Sequence, residues 1–206
     1  MEIHHLYHVY ADGLWQAPLR EHLDALHTSG LYEQLDRFYV GIVGNDENVA
    51  AVKAALDGVE CSVVAESATG WEQESLRLLP ALLGDTDAAV LYCHTKGAAY
   101  PSEINVKWRY SMTFFTVVEW WRALLALEDH DAYGCHVVKH DFWPEDFFGG
   151  NFWWATADYL RSLPPVAEDD RWDAERWIGR GEAPRFFDAN PGWPDPSLFV
   201  VSWTYD

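Results

Sequence analysis

The first regular pattern in the chain is an apolar alternation from Ile3 to Tyr10 that stops at Ala11-Asp12-Gly13, predicting a strand closed by a turn. Leu19, Leu23, Leu26 and Leu31 then recur at near-helical spacing, with Gly30 placed to end one helix before a short second one over Leu31–Leu35. A β-rich run from Phe38 to Gly44 halts at Gly44-Asn45-Asp46. A helix is expected from about Glu47 to Leu56, then a strand over Cys61–Ala65. Leu76, Leu79, Leu82 and Leu83 share one helical face within Glu72–Leu83. Ala88 to Cys93 is apolar throughout, as expected for a strand covered on both faces. Strand and helix alternating in this way indicate a parallel sheet with crossover helices.

The second half has a different texture. One long helix is predicted from Ser102, its N-cap, to Leu127, with Glu103 in the first turn. Its core face is expected to be Trp108, Phe114, Phe115, Val118, Trp121 and Leu125. A strand is expected over Tyr133–Lys139, a short helix near Asp173–Ile178 and a β-like stretch over Leu198–Trp203, with the Pro-rich segment Arg180–Ser197 as a wrapping loop. No repeat, low-complexity tract or Gly/Ser linker interrupts the pattern. The expectation is one α/β domain over residues 1–206, its first hundred residues a nucleotide-binding half.

Composition narrows the class. The chain has 206 residues and 33 acidic against 14 basic ones, a formal charge of −19. That balance counts against a sequence-independent nucleic-acid binder, which needs a basic surface to displace phosphate counterions. No apolar run approaches the roughly 20 residues of a membrane span, and Met1-Glu2-Ile3-His4-His5 is no signal-peptide start; a cytoplasmic location is expected. Cys61, Cys93 and Cys135 are odd in number and far apart, and are read as reduced core residues.

Ligands of open α/β sheets bind beyond the carboxyl ends of the strands. The segment beyond the most buried strand is His94-Thr95-Lys96-Gly97, containing one of only four lysines. Gly97 would let backbone approach a ligand, and Lys and Thr are natural phosphate contacts; a solvated polar turn is the plain alternative. Lys107 and Arg109, which follow closely, suit an anionic ligand such as a diphosphate, or are simply solvated helix charges. In the run His140 to Trp154, aromatic rings stand beside Asp141, Glu145 and the sequence Gly149-Gly150-Asn151, with Trp153 and Trp154 following. Such a surface stacks on the C–H face of a sugar while polar groups hold its hydroxyls; a buried aromatic core is the alternative. Asp173 and Glu175 open a short helix, where they are either first-turn charges or carboxylates able to take a proton from an acceptor hydroxyl. There is no zinc-ligand spacing, G-x-S-x-G, Walker-type loop or G-x-G-x-x-G.

Together, His-Thr-Lys-Gly at 94–97, Trp108-Arg109, Gly-Gly-Asn-Phe-Trp-Trp-Ala at 149–155 and Ala-Glu-Arg-Trp-Ile at 174–178 resemble a group of small bacterial and phage glycosyltransferase-like proteins. The His-Thr-Lys element is also similar to that of rhamnan-synthesis type glycosyltransferases. The resemblance runs from about Tyr7 to Ile178. It implies a GT-A-like fold and sugar transfer from a nucleotide-sugar co-substrate to a hydroxyl acceptor, a glycan or another macromolecule. Typical GT-A enzymes hold a divalent metal on an Asp-x-Asp where this chain has His94-Thr95-Lys96. No metal is therefore expected to be required, manganese or magnesium remaining allowed, with Lys96 neutralising the leaving diphosphate. The donor is expected near Tyr10, Asp12 and Asn45, its diphosphate on His94, Thr95, Lys96, Gly97 and Lys107 or Arg109. Sugar and acceptor are expected in the second half, on Gly149, Gly150, Asn151, Trp153 and Trp154, with Glu175, then Asp141 or Glu145, as the base. A non-catalytic sugar-binding protein and a nucleotide-sugar hydrolase are the rival readings. A DNA-modifying glycosyltransferase of phage type is a further alternative, though the −19 charge counts against a duplex substrate.

Overall fold

The computed structural model describes residues 1–100, 102–139, 144–167 and 172–191. In chain order the first half contains β1 (Glu2–Tyr10), α1 (Gln16–Thr28), β2 (Arg37–Val43), α2 (Asp46–Ala55), β3 (Ser62–Ser67), α3 (Gln73–Leu76), α4 (Leu79–Leu83) and β4 (Ala88–His94). The second half adds α5 (Glu103–Thr113), α6 (Trp120–Ala126), β5 (Ala132–Gly134), β6 (Val137–Val138), β7 (Phe147–Phe148), β8 (Trp153–Thr156), α7 (Ala157–Ser162), α8 (Asp173–Arg176) and β9 (Phe186–Asp188). Seven strands form one sheet in the order β3-β2-β1-β4-β8-β5-β9, and β6 and β7 pair separately. β3, β2, β1 and β4 are mutually parallel, as the strand–helix alternation predicts; β8 runs antiparallel to both β4 and β5, and β9 is parallel to β5. The fold is thus a single α/β domain with a mainly parallel central sheet flanked by helices. Every residue of β4 is buried, which its unbroken apolar sequence requires. Among the described residues no helix is long and apolar enough to cross a membrane.

The predicted long helix is interrupted. Phe114–Val118 forms a π-helical turn, with the Glu119 amide bonded five residues back to Phe114 O at 2.9 Å. Widening the turn leaves carbonyls without their usual partners, and two ring donors from the sheet take them: Tyr133 Oη bonds Phe115 O at 3.1 Å and Trp154 Nε1 bonds Thr116 O at 2.7 Å. One extra residue turns the following helical face by about 100°. The expected core positions Trp121 and Leu125 are consequently exposed, and Trp120 and Leu124 pack inward instead.

Four other expectations are corrected. Glu72–Leu83 splits into α3 and α4, with Pro80 near the start of α4, where its missing N–H costs nothing. The strand predicted over Tyr133–Lys139 breaks at His136, whose φ of 62° turns the chain out of the main sheet before β6. Phe186–Asp188, expected within a loop, is the edge strand β9. Trp153 and Trp154, expected on a sugar-binding surface, form β8 and are fully buried; Trp153 Nε1 bonds Asn151 Oδ1 at 2.8 Å. The stretch Leu198–Trp203 lies outside the described residues. Cys93 and Cys135 are buried and Cys61 half-buried, none in a disulfide.

Under the sheet lies a histidine pair fixed by its partners. His5 Nδ1 donates to Leu91 O at 3.0 Å, so its Nε2 accepts from His22 Nε2–H at 2.7 Å, and Tyr7 stacks on His22 with ring centroids 4.1 Å apart. Burial lowers the His5 pKa to about 4 and that of His22 well below the usual 6.5. The unfolded chain binds a proton on each imidazole below pH 6.5, whereas the folded chain resists it. Folding stability should therefore be highest above pH 6.5 and fall toward pH 4, by about 1.4 kcal/mol per pH unit for each such imidazole. Urea midpoints across pH 4–7 should show this fall, with a shallower slope in the His5→Leu/His22→Leu double variant; an equal slope would remove the pair from the acid response. Trp154→Ala should cost about 3–5 kcal/mol by urea unfolding, whereas a change below about 1 kcal/mol would restore a surface role.

Candidate active site

A cavity of about 250 Å³ opens over the carboxyl ends of β1 and β4, where ligands of open α/β sheets bind. Its outer wall is the loop from Thr95 to Tyr100, which local bonds clamp in place. The Thr95 amide donates to His8 O at 3.0 Å, and Thr95 Oγ1 accepts from the Tyr10 amide at 2.8 Å. Gly97 has a φ of +84°, a left-handed conformation that favours glycine. Lys96 lines the cavity, and its ammonium stands 4.4 Å from the centroid of the Trp108 ring, a cation–π contact.

Arg109 supports this loop from below. It is buried, its Nη1 donates to Lys96 O at 2.8 Å, and its Nε and Nη2 bond Glu21 Oε2 at 2.9 and 2.7 Å. Each of its three guanidinium nitrogens bonds protein and it does not line the cavity, so the structure does not place it as the expected diphosphate ligand. Lys107 points elsewhere, paired with exposed Glu103 at 2.7 Å.

The opposite wall comes from the turn before β8, and Gly150 organises it. Its carbonyl accepts from His94 Nε2 at 2.9 Å and its amide donates to Glu175 Oε1 at 2.6 Å. At φ +88°, with Met112 Sδ against the place a Cβ would fill, Gly150 serves packing rather than ligand approach; Gly149 likewise abuts Val138 and Trp108. Asn151 Nδ2 reaches into the site and donates to Glu72 Oε2 at 2.6 Å, and Tyr92 Oη donates to the same oxygen at 3.0 Å. Glu72 Oε1 stands 3.5 Å from His94 Nδ1. Burial first, then the neighbouring Lys96 charge, lowers the His94 pKa to about 3, so its ring is neutral near pH 7. Trp71, stacked on Tyr10 with centroids 5.4 Å apart, and the exposed rings of Tyr100 and Trp172 frame the mouth.

The cavity thus collects Tyr10, His94, Thr95, Lys96, Gly97, Asn151 and Glu175 from the sequence expectations. It draws on both halves of the chain. Asp12 and Asn45 do not line it: Asp12 Oδ1 accepts from the Asn45 amide and from Asn48 Nδ2, while the Asn45 side chain caps α2. Glu145 sits at a separate cavity, 3.6 Å from Arg180 Nε. Asp173 is buried against Arg180 and the Ala167 amide. Asp141 lies outside the described residues. Sequence reading missed Glu72, His8, Trp71 and Trp172. Glu72 opens a predicted helix and carries no motif, and His8 alternates within a strand. Only the pairing of β1 with β4, which sets His8 opposite His94, reveals the latter. No group of three or more His, Cys, Asp or Glu side chains among the described residues is arranged to hold a metal ion.

A mainly parallel α/β sheet with a polar, aromatic-rimmed cleft at its carboxyl edge defines the class of molecule. Within that class the chain belongs to the family described as a domain of unknown function, DUF8361, whose profile matches residues 7–179. No curated protein matches the sequence. Among solved structures, 4-diphosphocytidyl-2C-methyl-D-erythritol synthase from Anaerococcus prevotii is similar in fold, with a TM-score of 0.54 at 11% identity over 97% of this chain and 92% of that one. Rv0371c of Mycobacterium tuberculosis, in a complex with manganese, gives 0.53 at 14% identity over 98% and 95%.

If Arg109 is scaffold, Arg109→Ala should lower stability by about 3 kcal/mol or more by leaving Glu21 without its partner. Lys107→Ala should leave the unfolding midpoint unchanged. Equal urea midpoints for the two variants would refute the assignment.

Proposed function

We propose that this chain transfers a glycosyl group from a nucleotide-sugar donor to a hydroxyl acceptor. The observation that carries the reading is the cavity itself: one cation, Lys96, and two carboxylates, Glu72 and Glu175, line it together with aromatic rings at the carboxyl edge of the sheet. The resemblance read from the sequence, of 94–97 and 149–155 to small bacterial and phage glycosyltransferase-like proteins, is in keeping with it, as is a fold shared with a synthase whose product carries a diphosphocytidyl group. Unpaired cysteines suit a reducing, cytoplasmic setting.

Lys96 sits where charge builds on a leaving diphosphate, and a preorganised ammonium there stabilises the transition state. Glu175 borders both this cavity and a small neighbouring one shared with Phe147, Trp172 and Arg176, which makes it the carboxylate between donor and acceptor. In an inverting reaction the acceptor O–H breaks as its oxygen bonds the anomeric carbon. The anomeric C–O bond to phosphate breaks, its electron pair leaves on the diphosphate, and the proton goes to Glu175. Manganese in the Rv0371c complex raises the question of a metal here. Glu72 Oε2 is occupied by Tyr92 and Asn151, Glu175 Oε1 by the Gly150 amide and His94 Nε2 by the Gly150 carbonyl. Glu72 Oε1 and His94 Nδ1 remain open, but no group of three or more His, Cys, Asp or Glu side chains among the described residues is arranged to hold a metal ion, and no step is routed through one.

Nucleotidyl transfer is the second reading, favoured by the fold of the synthase. The two differ in what leaves: a nucleoside diphosphate in glycosyl transfer, pyrophosphate in nucleotidyl transfer. The deciding experiment follows unfolding temperature against a panel of nucleoside di- and triphosphates and nucleotide sugars, each with manganese and with EDTA. A ligand at about a hundred times its dissociation constant stabilises by about 2.7 kcal/mol, a shift of a few degrees in a chain of about 200 residues. A shift with one nucleotide sugar that survives EDTA is expected. Turnover should then release nucleoside diphosphate and fall about tenfold to a thousandfold in Lys96→Ala. Loss of turnover in EDTA would overturn the metal-free role of Lys96, and no shift with any nucleotide would favour a sugar-binding protein.

A further inference from the structure

Beneath the proposed diphosphate site, the cavity floor is built from three side chains whose far edges are all tied down. Glu72 is held through Oε2 by Tyr92 Oη and Asn151 Nδ2. His94 is held through Nε2 by the Gly150 carbonyl. His8, the cross-strand partner of His94, is held through Nδ1 by Ser75 Oγ at 2.7 Å. Room for that serine is made by Gly41 in β2, where any Cβ would collide with the Ser75 hydroxyl. A glycine inside a strand weakens it, so its presence at this point marks a close approach on which His8 depends.

Two of these side chains, His94 and Glu72, present hydrogen-bond acceptors to the cavity. A carbonyl only accepts, so His94 Nε2 carries the proton and the neutral ring presents a bare Nδ1. Beside it, 3.5 Å away, stands Glu72 Oε1, a carboxylate oxygen that also only accepts. These two acceptors cannot satisfy one another and stand open to donors from a ligand. Phosphate oxygens are repelled by them and belong at Lys96 on the loop. A pair of neighbouring hydroxyls on a sugar ring supplies one O–H to each. The stacked Tyr10–Trp71 pair lines the same cavity and offers an apolar wall to C–H groups. Size points the same way: about 250 Å³ falls below the range of about 300–1,000 Å³ that drug-sized ligands fill. One ring fits inside, and the rest of a nucleotide sugar lies outside across the loop.

We infer that the Glu72–His94–His8 floor is the subsite that reads the donor sugar, selecting a ring with two adjacent free hydroxyls, and that Ser75 and Gly41 are positioning residues for it. This rests on the proposed function and adds to it which end of the donor enters the cavity. Glu72 determines sugar specificity, and Glu175 keeps the proton-accepting role.

The test compares dissociation constants for the nucleoside diphosphate identified by the thermal panel and for its hexose conjugate, in the full chain by calorimetry. The ratio of the two isolates what the sugar adds. In Glu72→Gln this ratio should shrink about tenfold or more, the loss expected for a charge-assisted hydrogen bond. Conjugates with fluorine in place of either hydroxyl should show a similar loss with the native chain. Ser75→Ala should shrink the ratio by a smaller factor. It supplies the same reading should Glu72→Gln fail to fold, since a serine of purely structural importance would weaken both ligands alike. An unchanged ratio in a folded variant, or a native chain that binds the nucleoside diphosphate and gains nothing from any sugar, would overturn the subsite while leaving nucleotide binding intact. A native chain that binds no nucleotide would overturn the proposed function and the subsite with it.

Discussion

The antiparallel strand β8, slotted beside β4, is the constraint on which the cavity depends. Register pairs Tyr92 with Trp153 and Leu91 with Trp154, and the turn just ahead of β8 therefore arrives at the carboxyl end of β4. There the Gly150 peptide does two jobs in opposite directions, its carbonyl fixing the His94 tautomer and its amide holding Glu175. A backbone group is a suitable anchor for both, since its position is set by the sheet and has no rotamer to choose. Displacing β8 by one residue would invert the faces of Trp153 and Trp154 and separate Gly150 from both partners.

The aromatic richness of the chain then has a mainly structural explanation. Trp153 and Trp154 lie within the sheet, and the indole of Trp154, with the phenol of Tyr133, takes carbonyls that the π-helical turn frees. Large rings with one polar atom suit this task, filling volume while satisfying a buried acceptor. The rings that line the cavity belong to Tyr10, Trp71, Tyr100 and Trp172, drawn from loops and strand ends in both halves of the chain. The basic residues divide similarly: Arg109 holds the loop, Lys107 pairs within its helix, and Lys96 is left for the cavity.

Local signals were enough to read the parallel half of the fold and to point to the strand end where the cavity lies. Hydrophobic alternation, the uninterrupted apolar run of β4 and the turn residues after β1 and β2 each report their own backbone, because period and turn chemistry are properties of consecutive residues. The loop at 94–97 was legible because it follows the most buried strand, and Asn151 and Glu175 because they stood in distinctive surroundings. The second half was harder. A π-helical turn changes a helix face without leaving a break in the apolar pattern, so Trp120 and Leu124 replaced Trp121 and Leu125 in the core.

The sequence by itself thus determined an α/β domain, its four parallel strands and a polar site beyond β4, all consequences of near-neighbour patterning and strand burial. Only the tertiary structure decided which polar residues face that site. Glu72 became part of it through Tyr92 and Asn151, twenty and seventy-nine positions away, and His8 through its register with His94. Arg109 was withdrawn from it by Glu21, eighty-eight positions away. A side chain's role at a site is fixed by which of its hydrogen-bonding edges the rest of the protein has already occupied. That occupation is settled by long-range contacts the order of residues does not display.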